Sequence, residues 1–242
     1  MPVVTIARQL GSGGEEIAAL VGRHLSARVL DGELLALASA RSGVPLGFLA
    51  DFDERGRSML HRPGDLVRLV PLPPINPDAP DVTGDRYPPT GPVLARGEGL
   101  VSPAYWGMEA YATLLARTMQ AEAADGDVVI VGRAGNEAIR QQPSALHVLV
   151  VGSRRRCIQR LMAAEGLDGY DALERVQISD RDRAAYARQF YGADWLDPHR
   201  YDLVVNTDGL SFETAADLIS RATSAAGSMP PSPEVAPALA GT

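Results

Sequence analysis

Lysine is absent from this sequence, and cysteine and aromatic residues are scarce. Apart from histidine, the 242 residues carry 23 basic side chains, and every one of them is arginine. An anion bound here must therefore be held by guanidinium groups and backbone N–H donors. A planar guanidinium can donate two parallel hydrogen bonds to a phosphate, whereas a lysine ammonium acts as a compact point charge. The single Cys157 excludes an intrachain disulfide, which fits a reducing cytosol.

Long apolar runs and a basic-then-apolar leader are also missing. The formal net charge is -7 and the isoelectric point is near 5.1, which argues against broad binding to a nucleic acid polymer. We therefore expect a soluble, cytoplasmic protein that binds neither membranes nor nucleic acid polymers. A small anionic ligand remains compatible with this charge, because local arginine clusters matter more for it than the total.

Short apolar segments rich in β-branched residues alternate with helical patterns along the chain. The predicted strands are 3–7, 27–31, 127–132, 146–152 and 201–207. The predicted helices are 14–25, 32–42, 107–124, 134–141, 153–165, 170–192 and 211–225. This alternation predicts an α/β fold with a parallel sheet covered by helices on both faces. Ligands of such sheets bind at the carboxyl ends of the strands.

Two segments interrupt this alternation. Residues 61–105 are dense in proline and glycine, and a loop of that length is either a functional lid or a disordered insert. Residues 227–242 are rich in proline, alanine and serine and are predicted to form a disordered tail. We therefore expect one domain over residues 1–226, with the insert inside it.

The glycine loop in "ARQLGSGGEEIA" (7–18) lies between a predicted strand and a predicted helix. Gly11 and Gly13 allow a tight turn close to a ligand, and the helix start presents free N–H groups. A P-loop, G-x-x-x-x-G-K-[ST], would carry lysine at position 14 and a hydroxyl residue at position 15, where this chain has Gly14 and Glu15. A plain strand-to-helix turn is the structural alternative.

A dinucleotide site is another interpretation of the same loop. Gly11 and Gly13, with Asp31 at the end of the second predicted strand, match part of a Rossmann fingerprint. Glu16 stands where the third glycine of that fingerprint belongs, so the loop alone does not distinguish a dinucleotide site from a phosphate-binding loop or a plain turn.

Arginines recur in three further stretches. In "VVIVGRAGNEAIR" (128–140), Arg133 follows a buried strand and is predicted either to hold an anion or to pair with an acid. In "SRRRCIQRLMAAEG" (153–166), Ser153 is a helix cap, and Arg160 is interpreted as part of a solvated basic face rather than a phosphate contact. The alternating charges of 180–183 fit a salt-bridged surface or a hinged arginine lid.

Taken together, these stretches resemble the cytidylate kinase-like family, relatives of the nucleoside monophosphate kinases with a P-loop fold. The motifs that carry the resemblance are "ARQLGSGGEEIA", "IVGRAGN", "SDRDRAAYARQFYGADWLDPHRYDLVVNTDGLS" and, more weakly, "VLDGELL". It runs to about residue 222 and implies a three-layer P-loop fold with an arginine-bearing lid helix. A glycine loop without lysine is typical of this family.

The resemblance also implies roles for individual residues. The loop that wraps the donor phosphates matches Gly11, Ser12 and Gly13, with Gly14 next to them. Arg133 matches the arginine that binds the acceptor phosphate, and Asp31 matches the acid before the acceptor-binding helix. The arginines of the lid helix correspond to Arg181 and Arg183.

The chain departs from cytidylate kinases at four positions. Gly14 replaces the phosphate lysine and Glu15 replaces the Mg²⁺-binding hydroxyl, while Val131 and Ala134 replace two acids around Gly-Arg. We hypothesise that Arg8 folds over the phosphates in place of the lysine. For Mg²⁺, which keeps several of its waters, Glu15 and Asp31 are the candidate ligands.

These implications lead to a first hypothesis of a phosphotransferase. It would use ATP and Mg²⁺ to phosphorylate a nucleoside monophosphate, with a cytidylate-like acceptor, and its partners would be small nucleotides. The alternative is a non-catalytic, nucleotide-binding sensor or regulatory protein. A nicotinamide oxidoreductase is a third interpretation, weakened by the missing glycine.

Overall fold

The computed structural model describes residues 1–50, 70–71, 105–106 and 108–226. The predicted tail 227–242 and nearly all of the predicted insert 61–105 lie outside the described residues. Only a two-residue antiparallel pairing, Val70 with Trp106 and Pro71 with Tyr105, is described in and next to that insert.

Five strands form one parallel sheet in the order β2-β5-β1-β6-β7. The strands, including the two short ones that pair with each other, are β1 Val3–Arg8, β2 Arg28–Leu30, β3 Val70–Pro71, β4 Tyr105–Trp106, β5 Val128–Val131, β6 Ala145–Val151 and β7 Leu203–Asn206. The central strand is β1, where Val3 pairs with Val128 of β5 on one side and with Ala145 of β6 on the other.

Helices alternate with the strands of this sheet. They are α1 Gly14–Leu25, α2 Glu33–Ser42, α3 Met108–Asp125, α4 Gly135–Ala138, α5 Arg154–Glu165, α6 Gly169–Tyr191 and α7 Phe212–Ala226, with a 3-10 turn at Pro198–Arg200. Residues 46–50 are also helical. Polar side chains cap the N-termini of α5 and α6. Ser153 Oγ accepts a hydrogen bond from Arg156 N at the start of α5. At the start of α6, an Asp168 oxygen accepts from Tyr170 N and Asp171 N.

The sheet is covered on both faces, since alternate residues of a strand point to opposite sides. Val4 and Ile6 of β1 belong to a core that includes Ile17 of α1 and Ile219 of α7. Val3 belongs to the opposite core, formed with α2 and α3, which contains Leu34, Leu115 and Met119. A smaller cluster between α5 and α6 contains Cys157, Leu161, Ala172 and Val176.

The predicted α/β three-layer fold with a parallel sheet is confirmed. Its strand and helix limits agree with the predicted ones to within two residues, with one exception. The helix predicted over 134–141 is only Gly135–Ala138, because Ile139 leaves helical geometry at φ -116°. In the described part of the chain, no helix is long and apolar enough to cross a bilayer.

Candidate phosphate-binding site

A cavity of about 550 Å³ lies at the carboxyl edge of the sheet, between the ends of β1 and β5 and the helix α6. Parallel α/β sheets bind their ligands at this edge. Its lining contains four arginines, Arg8, Arg133, Arg175 and Arg183, and four acids, Glu15, Asp31, Glu137 and Asp182. The cavity therefore brings together residues from four of the stretches that the sequence had singled out.

The glycine loop can be built only with glycine at two of its positions. Gly11 has φ +78° and Gly13 has φ +83°, conformations that side chains disfavour. A Cβ on Gly11 would collide with the carbonyl oxygen of Cys157, and one on Gly13 would meet the ring of Phe212. Ser12, between them, is buried, and its Oγ donates to the Gln9 carbonyl at 2.7 Å. The loop is thus a fixed element, and these three residues do not line the cavity.

Arg160 of α5 supports this loop from behind. Its Nη2 donates to the Thr207 carbonyl at 2.6 Å and its Nη1 to Thr207 Oγ1 at 2.8 Å, while the carbonyls of Gly11 and Ser12 lie 3.4 Å away. Thr207 Oγ1 in turn donates to the Ser12 carbonyl at 2.8 Å. The interpretation of Arg160 as part of a solvated face was wrong, although Arg154, Arg155 and Arg156 are exposed as expected.

Arg8 ends β1 and lies across the front of the loop. Its side chain is 13% exposed, and its Nη2 lies 3.1 Å from Glu15 Oε1 and 3.6 Å from Asp31 Oδ1. Both candidate metal ligands thus converge on one guanidinium. In the described residues, no group of three or more metal-binding side chains occurs.

Arg133 sits in a strained turn after β5. Gly132, Arg133 and Ala134 have φ of +73°, +49° and +52°, and Gly135 N closes the turn by donating to the Gly132 carbonyl at 2.9 Å. Left-handed geometry costs a non-glycine residue about 1–2 kcal/mol. Backbone strain of this kind often accompanies functional sites. Arg133 lines the cavity, and its Nη1 donates at 2.8 Å to the hydroxyl of Tyr111, a buried core residue that does not itself line the cavity.

The lid helix α6 contributes Arg183 to the cavity. Burial lowers the pKa of this guanidinium to about 10, helped by the nearby charge of Arg8 and opposed by Asp180, so it is still cationic at neutral pH. Its Nη1 lies 3.3 Å from Asp180 Oδ1, and the guanidinium carbon lies 6.0 Å from the centre of the Trp195 ring. Arg181, predicted with it, is exposed and does not line the cavity.

Asp180 joins the lid helix to the glycine loop. Its Oδ1 accepts a long hydrogen bond of 3.5 Å from Leu10 N, next to Gly11. Burial raises the pKa of the Asp180 carboxyl, while Arg183 and the Leu10 N–H partly oppose that rise. This polar contact is a point at which the lid meets the loop.

Several cavity residues were missed by sequence reasoning. Trp195 lines the cavity after the lid, 7% exposed, and its carbonyl accepts from Tyr201 Oη at 2.6 Å. Glu137 is also nearly buried and accepts from Arg200 Nη1 at 2.9 Å and Asn136 Nδ2 at 3.0 Å. Both residues lie in motifs quoted above, but the spacing within those motifs did not indicate which further side chains face the cavity.

This geometry agrees with a family relationship. A match to the cytidylate kinase-like family spans residues 3–209. The chain belongs to the cytidylate kinase-like family. The match includes the glycine loop, the strained Gly-Arg turn and the lid helix, so the predicted resemblance is confirmed over nearly the whole chain.

Solved structures with similar folds cover almost all of the chain. A crystal structure of an uncharacterized protein from Eubacterium ventriosum has a TM-score of 0.60 at 18% identity and covers 93% of this chain and 99% of its own. A protein from Thermus thermophilus has a TM-score of 0.50 at 17% identity, covering 92% and 97%. At these identities the similarity concerns the fold alone.

One curated protein shares a segment with the chain. A uronate isomerase from Corynebacterium glutamicum is 30% identical over 95 residues, which is 39% of this chain. The chain spans only 18% of the length of that relative.

Proposed function

We propose that this protein transfers the γ-phosphoryl group of ATP to a nucleoside monophosphate, with a cytidylate-like acceptor, within one domain over residues 1–226. The observation that carries the proposal is the convergence of Arg8, Arg133 and Arg183 on one cavity beside the glycine loop. They come from the end of β1, the turn after β5 and the lid helix. Membership of a kinase-like family supports the same reaction class.

In phosphoryl transfer, the protein contributes by positioning the substrates and stabilising charge, and it forms no covalent bond with them. An oxygen of the acceptor phosphate attacks the γ-phosphorus, the bond from that phosphorus to the bridging oxygen of ATP breaks, and ADP leaves with a nucleoside diphosphate as the second product. The acceptor phosphate is already an anion and needs no general base. In the proposed roles, Arg133 holds the acceptor phosphate, and Arg8 and Arg183 neutralise charge that builds up on the transferred group.

Mg²⁺ would neutralise phosphate oxygens of ATP. Mg²⁺ is commonly bound by one or two carboxylates, waters and substrate phosphates, and Glu15 and Asp31 fit that pattern. Both acids line the cavity, and both contact Arg8. Their carboxylates would be released for the metal once Arg8 contacts phosphate oxygens.

The test is product analysis with purified protein, ATP, Mg²⁺ and a panel of nucleoside monophosphates, with Arg133→Ala run alongside. The proposal predicts a diphosphate product from one acceptor and a rate that falls on the order of 10²–10³-fold in Arg133→Ala. Tight ATP binding without any turnover would instead support a nucleotide sensor. The observation that favours that second function is Glu15, a carboxylate at the helix start where a P-loop has its hydroxyl.

A further inference from the structure

The start of α1 has no room for the side chain that a P-loop lysine would need. Gly14 stands at the lysine position and is the first residue of the helix. A Cβ placed on Gly14 would meet Cβ of Arg8 and would lie 2.7 Å from its Cγ. The stem of Arg8 therefore occupies the space where a lysine side chain would begin.

The other end of Arg8 is accommodated by a second glycine. A Cβ on Gly132, after β5, would collide with Nη1 of Arg8. The guanidinium lies between that strand end and the two acids Glu15 and Asp31, in the wall of the cavity. Its buried Nε has no hydrogen-bond partner among the residues that the structure describes. Arg8 thus lines the cavity, and its hydrogen-bonding capacity is not fully used.

We infer that Arg8 supplies the phosphate-binding charge that a P-loop lysine would supply, and that Arg8 and a lysine at position 14 exclude one another sterically. The inference rests on the proposed function and adds to it a residue and a reason for Gly14. The charge comes from the last residue of β1 instead of the first turn of α1. On nucleotide binding, the guanidinium exchanges carboxylate contacts for phosphate oxygens, which it can hold through a fork.

The experiment measures binding of Mg²⁺ with a non-hydrolysable ATP analogue by calorimetry. Arg8→Met keeps much of the stem and removes the charge, and it should weaken binding about tenfold to a hundredfold, as expected for a lost charged hydrogen bond. Arg8→Lys should retain most of the binding. Arg221→Met is the matched control, because Arg221 is an exposed residue of α7 that does not line the cavity and should leave binding unchanged.

A paired exchange tests the steric part of the inference. Gly14→Lys alone should weaken binding, because its stem displaces Arg8, and Arg8→Gly alone should weaken it by loss of charge. The double variant, Arg8→Gly with Gly14→Lys, should bind better than either single variant. Gly14→Ala should impair binding in the wild type and be neutral with Arg8→Gly. Thermal unfolding of each variant identifies any loss that comes from misfolding.

The outcomes separate this inference from the proposed function. Unchanged binding in a folded Arg8→Met, or a double variant that binds no better than the worse single variant, would overturn the inference and leave the kinase proposal standing. A wild-type protein that binds no ATP analogue would overturn both.

Discussion

The glycine loop lies beside the cavity and the lid helix α6 forms one of its walls, and the two are held in place by different kinds of contact. The loop is fixed by crowded backbone, by long hydrogen bonds from Arg160 to the Gly11 and Ser12 carbonyls and by one from Thr207 to the Ser12 carbonyl. The 23-residue lid helix buries only Ala172, Val176 and Ala187. Under the proposed function, a rigid glycine loop beside a loosely packed arginine helix would suit a site that is preorganised on one side and closes from the other.

The largest expected difference is between the loop and the turn that leads into the lid, in their tolerance of an added methyl group. Gly11→Ala should lower the free energy of unfolding by about 3–5 kcal/mol, because it adds left-handed strain to a collision with the Cys157 backbone. Gly166, at the end of α5 before the lid, also has positive φ, but its Cβ would meet nothing within 4 Å. Gly166→Ala should therefore cost only about 1 kcal/mol.

Chemical denaturation of both variants measures this difference. Equal losses would mean that the loop is not held against α5 as described. The Gly166→Ala protein is the control for strain alone, since both glycines have positive φ.

The second largest difference between the loop and the lid is expected in the loss of unfolding free energy when an arginine is removed from each. Arg160→Met removes the bonds to Thr207, so we expect a loss of about 2–3 kcal/mol in unfolding free energy. Arg175, on the lid, makes an exposed ion pair with Glu165, and Arg175→Met should cost under about 1 kcal/mol. Thermal and denaturant unfolding of the two variants provide the measurement, and a smaller loss for Arg160→Met than for Arg175→Met would refute the supporting role.

The smallest effect is expected at Asp180, where lid and loop meet. Its pKa is raised by burial in the folded protein, so the folded state holds its proton more tightly than the unfolded chain does. That stabilisation is complete below the ordinary Asp pKa of about 3.9 and is lost as pH rises through the raised value.

Asp180→Asn removes this titration. The difference in unfolding free energy between the variant and the wild type should therefore shift in favour of the variant as pH rises through that window, and then level off. Denaturant unfolding at a series of pH values checks it. A difference that stays constant, or shifts the other way, would contradict the assigned burial of Asp180.

Much of the fold could be predicted, because strand and helix patterns are local in sequence. The β-branched runs gave the strands, and Ser153 was correctly expected to cap α5. The short α4 was overestimated mainly at its C-terminal end, where Ile139 leaves helical geometry, and by one residue at its start, where Ala134 has positive φ.

The site was only partly predictable. Arg133 and Arg183 were expected near a ligand because they lie at a strand end and in a lid motif. Arg160 was misjudged because its partners, the loop carbonyls and Thr207, are distant in sequence. Spacing along a helix indicates which residues share a face, but it cannot tell whether that face meets solvent or another backbone.

Transfer of a labelled γ-phosphoryl group from ATP to the acceptor, measured for Arg183→Met and Arg181→Met, tests the central claim most directly. The two arginines lie two residues apart on the same helix, and Arg183 lines the cavity while Arg181 is exposed. The proposed mechanism predicts a rate reduced on the order of 10²-fold or more in Arg183→Met and nearly unchanged in Arg181→Met. Equal rates in the two variants, or a loss confined to Arg181→Met, would contradict it.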